Sequence, residues 1–513
     1  MISFLIDSGY SLECVKNRKS LYGDIEVIRF MNCCDVPFLI AYSNNSDVNL
    51  DISNLYEFAK ENGDEFCSLF VRFFKNTVEV YSKNLKNAQY TTLRGLIPYN
   101  RSKYNTASET VVESDSFENI FFEAHSFLRD LDGLHPDEAL DELCKVIYAK
   151  LYDEENDSNT FTMLYGNVEE YASAIRSLYK EANEYDIRVY ALKIPGYKRS
   201  RGVFSEPIYL SSNAICKVCS LFAKYNFSKA DIDYKARAFQ NVYKPATRAG
   251  MGQYFTPVQV IRLIVKCIQP SNSDLIIDPF AGSAHFLSET LNFVKNDAKS
   301  FKSISEFIFY KLHGIEKSER MVRIAMTDMR LHGDGHSNIR CTDSLLPFET
   351  YTDLSPGSFD IVMTNPPFGS ILQKDSYSYL GEFELTKGKG KVPLEVLGLE
   401  RSVQLLREGG RIGIVLPESV FVNKSFQYVR EWISTHMKIR GIISLPQITF
   451  APFGANIKTS ILIATKGYTT DIYNVFTAVV ENIGFDSKGD ELQGADWQDV
   501  ASEFTAFIKK EGW

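Results

Sequence analysis

From about residue 250 onward, short runs of almost unbroken apolar residues alternate with stretches whose apolar positions recur every three or four residues. The runs are Leu275-Ile-Ile277, Leu312-His-Gly-Ile315, Ile339-Arg-Cys341, Phe359-Asp-Ile-Val-Met363, Arg411-Ile-Gly-Ile-Val-Leu416, Gly441-Ile-Ile-Ser-Leu445 and Ser460-Ile-Leu-Ile463. Strands buried on both faces read this way, and the intervening period of 3.6 reads as helix. The text predicts a doubly wound α/β sheet of seven strands. Upstream, Phe117 to about Phe239 is helical in spacing throughout, as in Phe121-Phe-Glu-Ala-His-Ser-Phe-Leu128 and Ala139-Leu-Asp-Glu-Leu-Cys-Lys-Val-Ile-Tyr148. Leu134-His-Pro-Asp137 supplies a break and a helix start between them. Residues 1–105 mix short apolar runs such as Val36-Pro-Phe-Leu-Ile-Ala-Tyr42 with polar turns, and read as a small α+β domain. A turn-rich stretch around 98–108 is a linker. The expected layout is therefore 1–108 α+β, 109–245 helical, 246–470 α/β and 471–513 a C-terminal tail. One low-complexity stretch stands out, Lys387-Gly-Lys-Gly-Lys391.

The candidate chemistry sits at the ends of the predicted strands. Phe359-Asp-Ile-Val-Met-Thr364 stops at Asn365-Pro366-Pro367-Phe368, because two prolines cannot continue a sheet ladder. That places Asn365 rigidly at the carboxyl end of a strand, where open α/β sheets bind ligands. An exocyclic amine on a heteroaromatic ring is a poor nucleophile, since its lone pair is delocalised into the ring. Two acceptors, the Asn365 side-chain oxygen and the Pro366 carbonyl, suit its two hydrogens and favour a pyramidal nitrogen. The Phe368 ring suits stacking, worth ~1–3 kcal/mol per base. Leu275-Ile-Ile-Asp278-Pro279-Phe-Ala-Gly282-Ser283-Ala-His-Phe-Leu287 reads as strand, glycine turn and helix start. Glu316 and Asp343 end the next two strands, and an acid at the second strand end suits ribose hydroxyls. In Phe255-Thr256-Pro257, Thr256 is placed to cap a helix and Pro257 to be its first residue.

These motifs, in this order, resemble adenine-N6 DNA methyltransferases of the gamma type, and the chain resembles the modification (M) subunit of type I restriction–modification systems over about residues 115–470. The resemblance implies a Rossmann-like sheet of seven strands with the last antiparallel. It implies S-adenosyl-L-methionine as cofactor, held by Phe255, Thr256, Pro257, Asp278, Pro279, Gly282, Ser283, Glu316 and Asp343. Asp343 would accept the cofactor's adenine amine, and Phe255-Thr-Pro257 would lie around its methionine end. Catalysis falls to Asn365, Pro366, Pro367 and Phe368. An exposed aromatic, Phe450 or Phe453, is the candidate to cover the other face of a flipped base, with ordinary core packing the equal reading for either. Ala284 stands where the family usually has a second glycine, and its methyl is expected to crowd the backbone approach to the cofactor. The strand-rich text of 23–85 faintly resembles the nuclease-like domain of restriction (R) subunits, with Asp24 as a first metal ligand. The partner Glu-x-Lys is missing at Ala41-Tyr-Ser-Asn44, so a degenerate, non-cleaving module is expected.

Composition narrows this further. A chain of 513 residues with 44% hydrophobic and 24% charged residues is ordinary globular text, and no apolar run reaches the ~20 residues of a membrane helix. No signal-peptide pattern opens it, and nine scattered cysteines do not read as a disulfide framework, so the expectation is a soluble, cytoplasmic protein. No Pro-Cys dipeptide offers a cytosine-C5 nucleophile. Cys216-Lys-Val-Cys219 has no second pair, and the seven histidines lack ligand spacing, so no metal is expected. Fifty-six basic against 65 acidic residues, net −9, disfavours bulk adhesion to double-stranded DNA. Fewer than 50 residues follow Thr465, too few for a target-recognition domain, so a separate specificity (S) subunit is expected, and a restriction (R) subunit fits the same system. Alternative readings are a non-catalytic cofactor- or DNA-binding scaffold and a methyltransferase acting on RNA or protein.

Overall fold

In the computed structural model, residues 1–113 are described only as six strands, and 114–511 are described except 157, 163–166, 194–205, 224, 229–238, 240–241, 243–254, 298–300, 334–337, 352, 374–379, 381–382 and 469–470. The chain divides into two compact units, 1–185 with 204–242, and 186–203 with 243–513.

The first unit begins with strands β1 (Val15–Lys19), β2 (Ile25–Met31), β3 (Pro37–Asn44), β4 (Leu69–Phe74), β5 (Thr77–Asn84) and β6 (Gln89–Leu93) in one sheet of sequential order. Every neighbouring pair is antiparallel except β3 with β4. Asp24, the nuclease-like candidate, lies outside the described residues. Helices α1 (Ser114–Asp132), α2 (Pro136–Glu155), α3 (Val168–Lys193) and α4 (Ser212–Phe222) follow in sequence. The start of α2 forms as its text predicts: Pro136 opens it, and Glu138 accepts the backbone N–H of His135 at 3.1 Å. Phe121 is fully buried and meets Phe222, Phe227 and Phe239 edge-on at 5.5–6.0 Å. Cys216 and Cys219 are buried on α4.

The second unit is built on an eight-stranded sheet. Its strands are β7 (Ile276–Asp278), β8 (Leu312–Glu316), β9 (Asn338–Cys341), β10 (Phe359–Thr364), β13 (Leu406–Pro417), β14 (Met437–Ser444), β15 (Thr459–Lys466) and β16 (Phe476–Val479), in the order β16-β14-β15-β13-β10-β7-β8-β9. A separate two-stranded hairpin, β11 (Ile371–Gln373) and β12 (Lys391–Pro393), stands outside it. The parallel block runs from β13 to β9, and β15 inserts antiparallel between β13 and β14. Helices α5 (Val258–Ile268), α6 (His285–Asp297), α7 (Phe301–Lys311), α8 (Glu319–Leu331), α9 (Leu394–Leu405), α10 (Gln427–His436) and α11 (Trp497–Glu511) belong to this unit, with a single helical turn at Ser419–Val422. All seven expected strands form, and β15 is antiparallel as expected.

The expected tail is part of this unit. β16 adds an eighth strand parallel to β14, and α11 packs against α5. The Phe504 ring, fully buried, meets Phe476 edge-on at 5.4 Å, and Lys266 of α5 lies over the Trp497 ring. Phe476–Val479 is half-buried and exposed in alternation and carries no unbroken apolar run, so it does not read as a buried strand. On the other side, α5 lies so close to β13 that a Cβ at Gly413 would sit 2.5 Å from Ile264. A residue with any side chain there would lever the helix away from the sheet.

Candidate active site

β7 delivers Asp278 at its carboxyl end, and the turn Pro279–Ala284 carries the chain into α6. Asp278 is buried; its Oδ1 accepts the Thr364 hydroxyl at 2.6 Å and the Phe280 N–H at 3.0 Å, which ties the turn to β10. Burial pushes the Asp278 carboxyl up to about 7 against these two bonds. The turn is tied to β8 as well: Ala281 N–H donates to Ile315 O at 2.9 Å, and Gly282 N–H to Glu316 Oε2 at 3.1 Å. Gly282 has φ +52°, a conformation glycine adopts without strain. Ala284 adopts φ +63° with its methyl fully buried, and it does not line the cavity described below. The methyl expected to crowd the cofactor therefore lies outside the cavity lining. The methyl points into the protein, and its cost is backbone strain.

Glu316 ends β8. Its Oε1 accepts the Ser318 N–H at 2.7 Å, and burial raises its pKa although these backbone donors lower it. Asp343 follows β9; its Oδ1 accepts the Leu345 N–H at 3.0 Å and its Oδ2 the Lys317 ammonium at 2.9 Å. Asn365 follows β10, and its Nδ2 donates to the Thr256 hydroxyl at 2.9 Å. That bond fixes the amide, and its Oδ1 is left buried without a hydrogen-bond partner among the described residues. Asp278 Oδ2 is left in the same state.

These ends surround one cavity of about 370 Å³. Ten of the residues singled out in the sequence line it: Thr256, Asp278, Pro279, Gly282, Ser283, Glu316, Asp343, Asn365, Pro367 and Phe368. Five do not. Phe255 is buried against the His285 ring, centroids 6.1 Å apart. Pro257 takes the cap position before α5, which starts at Val258, one residue later than expected. The expected Thr256 cap is thus corrected, because its hydroxyl is engaged by Asn365. Pro366 is buried, with α9 so near that a Cβ at Gly398 would lie 2.8 Å from it. Phe450 is buried, not exposed, and meets Phe368 edge-on at 6.0 Å and 85°. Phe453 is half-buried in the turn Ala451–Phe453. Apolar burial of the large Phe450 ring outweighs display, so for Phe450 the core-packing reading holds.

The sequence reading missed Thr364, Lys317 and His285. His285 lines the cavity from the first turn of α6, and burial lowers its pKa to about 4, so it is neutral at pH 7. A polar residue just after a glycine turn was the available signal. Among the described residues no group of three or more His, Cys, Asp or Glu is placed to hold a metal.

A sequence model of the family described as N-6 DNA Methylase matches residues 238–513, more than half of the chain. This chain belongs to the N-6 DNA methylase family. Among relatives of this methylase, the type I restriction enzyme EcoEI methylase subunit of Escherichia coli is 25% identical over 236 residues, 45% of this chain and 46% of the relative. The chain thus matches less than half the length of that relative. Among solved structures, a type I restriction-modification methyltransferase subunit from Streptococcus thermophilus superposes with TM-score 0.55 at 16% identity, covering 77% of this chain and 94% of that one. A chain from a study of type I R-M complex assembly gives TM-score 0.58 at 19% identity, covering 78% and 83%. The chain shares their fold. Among its described residues no helix is long and apolar enough to cross a membrane.

Proposed function

We propose that this methylase transfers a methyl group from S-adenosyl-L-methionine to the N6 amine of adenine in double-stranded DNA, as the modification subunit of a type I-like restriction–modification system. The observation that carries the reading is the Asn365 amide. Its nitrogen is held by Thr256, so its buried Oδ1 faces the reaction as an acceptor with no partner of its own. A buried, unpaired acceptor is costly, and a site that keeps one is built for a donor that arrives with the ligand.

The residues fit the cofactor. A cavity of about 370 Å³ is in the range of small-molecule sites, and three carboxylates, Asp278, Glu316 and Asp343, stand at successive strand ends around it. When bound, S-adenosylmethionine supplies a methyl group made electrophilic by a sulfonium. Glu316 is placed to accept ribose hydroxyls, and Asp343 to accept an adenine amine. Asp278 ties the glycine turn to the strand that bears Asn365. Phe255 and Pro257 support the site from behind, Phe255 by backing His285 and Pro257 by starting α5.

The target base must leave the duplex stack to enter such a site. There Phe368 offers its face to the ring, and Phe450 braces Phe368 edge-on. Phe453, half-buried in the next turn, is the remaining candidate for the outer face of the base. Asn365 Oδ1 and the Pro366 carbonyl hold the two amine hydrogens, which draws the nitrogen lone pair out of conjugation and toward the methyl donor. The scaffold alternative loses its motive, since the Ala284 methyl does not enter the cavity. The relatives are named as subunits, which supports partnership with a specificity subunit and a restriction subunit.

The test is Asn365→Ala. Calorimetry is expected to show cofactor binding within about threefold of the original, while methyl transfer falls by at least ~100-fold. Product analysis showing 5-methylcytosine, or methylated RNA and never DNA, overturns the reading.

A further inference from the structure

After Gly369 the chain enters the β11–β12 hairpin, in which Leu372 pairs with Val392 and Gln373 with Lys391. Leu372 and Leu394 line the cavity, and Leu394 N–H donates to Ser370 O at 2.8 Å. The hairpin is therefore attached to the cavity wall at its foot. Leading into β12, Lys387-Gly-Lys-Gly-Lys391 carries three exposed lysines in five residues.

A run that merely floats in solvent needs no support, but this one has a constructed base. Glu400 on α9, 1% exposed, accepts the N–H groups of Glu384 and Leu385 at 2.7 and 2.9 Å. The buried Thr386 hydroxyl lies 2.8 Å from Leu380 O and 2.7 Å from Phe383 O. Backbone N–H groups of Lys387 and Lys389 close turns on Glu384 O and Thr386 O, both at 3.0 Å. The Lys389 ammonium rests 4.2 Å from the centroid of the Tyr428 ring. The acid of this turn, Glu384, is committed elsewhere, accepting Trp432 Nε1–H at 2.7 Å and lying 3.4 Å from His436 Nε2. Among the described residues, none of the three lysines has a carboxylate within 4.0 Å. Between them, Gly388 and Gly390 have no atoms within 4 Å of the place a Cβ would take, so the backbone there is bare to an approaching chain.

In a protein of net charge −9, three exposed cations with no carboxylate within 4.0 Å among the described residues, on a loop leading to a strand next to the cavity wall, form a local attractor for a polyanion. Four residues reach at most ~14 Å, the axial length of about four nucleotides of one strand. We propose that Lys387, Lys389 and Lys391 form a clamp on the phosphate backbone of the duplex whose base enters the cavity. The clamp rests on the methyltransferase reading above and names the surface by which its substrate is held.

The test compares the full-length chain with K387Q/K389Q/K391Q and with the K387R/K389R/K391R variant on a short DNA duplex, between about 50 and 200 mM salt. Each phosphate contact contributes ~0.9 to the slope of log affinity against log salt, so the Gln variant is expected to be shallower by about 2 to 3 units. The Arg variant keeps the original slope, and cofactor affinity is the same in all three. An unchanged slope in the Gln variant overturns the clamp. If that unchanged slope comes with lost assembly with a specificity subunit, the loop is a protein contact instead. Methyl transfer by the unaltered chain is measured in parallel. If it produces no N6-methyladenine with a cognate specificity subunit but the slope still drops, the catalytic reading fails and the clamp stands.

Discussion

Asp278 and Ala284 lie six residues apart in one turn, and each is held in a state its residue type disfavours. Burial raises the Asp278 carboxyl to about 7, so the folded protein prefers it protonated in a range where the unfolded chain ionises it near 3.8. Between those values the folded state binds the proton that the unfolded state has lost, so this group's contribution to stability falls as pH rises from about 4 to 7. Asp278→Asn keeps an acceptor for Thr364 and Phe280 but cannot ionise. Urea unfolding is expected to show Asp278→Asn gaining on the original chain steadily across that window; a constant difference contradicts it. At Ala284 three terms compete. Left-handed backbone costs alanine ~1–2 kcal/mol, while Ala284→Gly gives up ~0.8 kcal/mol of methyl burial and adds ~0.4–1 kcal/mol of unfolded-state entropy. They nearly cancel, so Ala284→Gly is expected to stay within ~1 kcal/mol of the original, with unchanged cofactor affinity by calorimetry. A tenfold gain in affinity would show that the methyl obstructs the site after all.

At the scale of elements, the site is made by strand ends held in register and by helices close enough to pin them. The Thr364–Asp278 bond joins β10 to β7, and Ala281 and Gly282 join the glycine turn to β8. α5 presses on β13 at Gly413 and is itself backed by α11. Because Thr256 lies just before the Pro257 cap of α5, the packing of α11 bears on the orientation of Asn365. Phe504 on α11 is fully buried, and a Cβ at Gly441 of β14 would lie 2.8 Å from its ring. Phe504→Ala is expected to lower stability by ~3–5 kcal/mol in urea unfolding. A loss below ~1 kcal/mol would show that residues beyond 471 are the loose tail their text suggested.

For the whole molecule, charge sets the terms of DNA binding. A net charge of −9 repels a duplex at long range, and three lysines offset this only locally. Specific complexes at ~10⁻⁸ M or better rest on more phosphate and base contacts than three lysines provide. The purified chain is therefore expected to methylate a cognate duplex slowly or not at all, and a cognate specificity subunit to raise the rate by at least ~100-fold. Robust, site-specific methylation by the chain alone would place recognition within these residues.

The seven strands were legible because doubly buried strands write themselves as apolar runs, and the chemistry was legible because Asn365-Pro-Pro-Phe368 and Asp278–Gly282 are local motifs whose geometry follows from proline and glycine. Family and fold class are contained in such local text. What the text could not carry were relations between distant residues. The Thr256 hydroxyl looked like a helix cap until Asn365, 109 positions away, claimed it. Phe450 read equally as a stacking face or as core until its burial beside Phe368 decided for core. β16 and α11 looked like a tail because four edge residues and one amphipathic helix acquire their meaning only against β14 and α5. Short-range sterics and periodicity act within a few residues and are written in order along the chain, whereas hydrogen-bond partners and buried faces are chosen by whatever the folded sheet brings near.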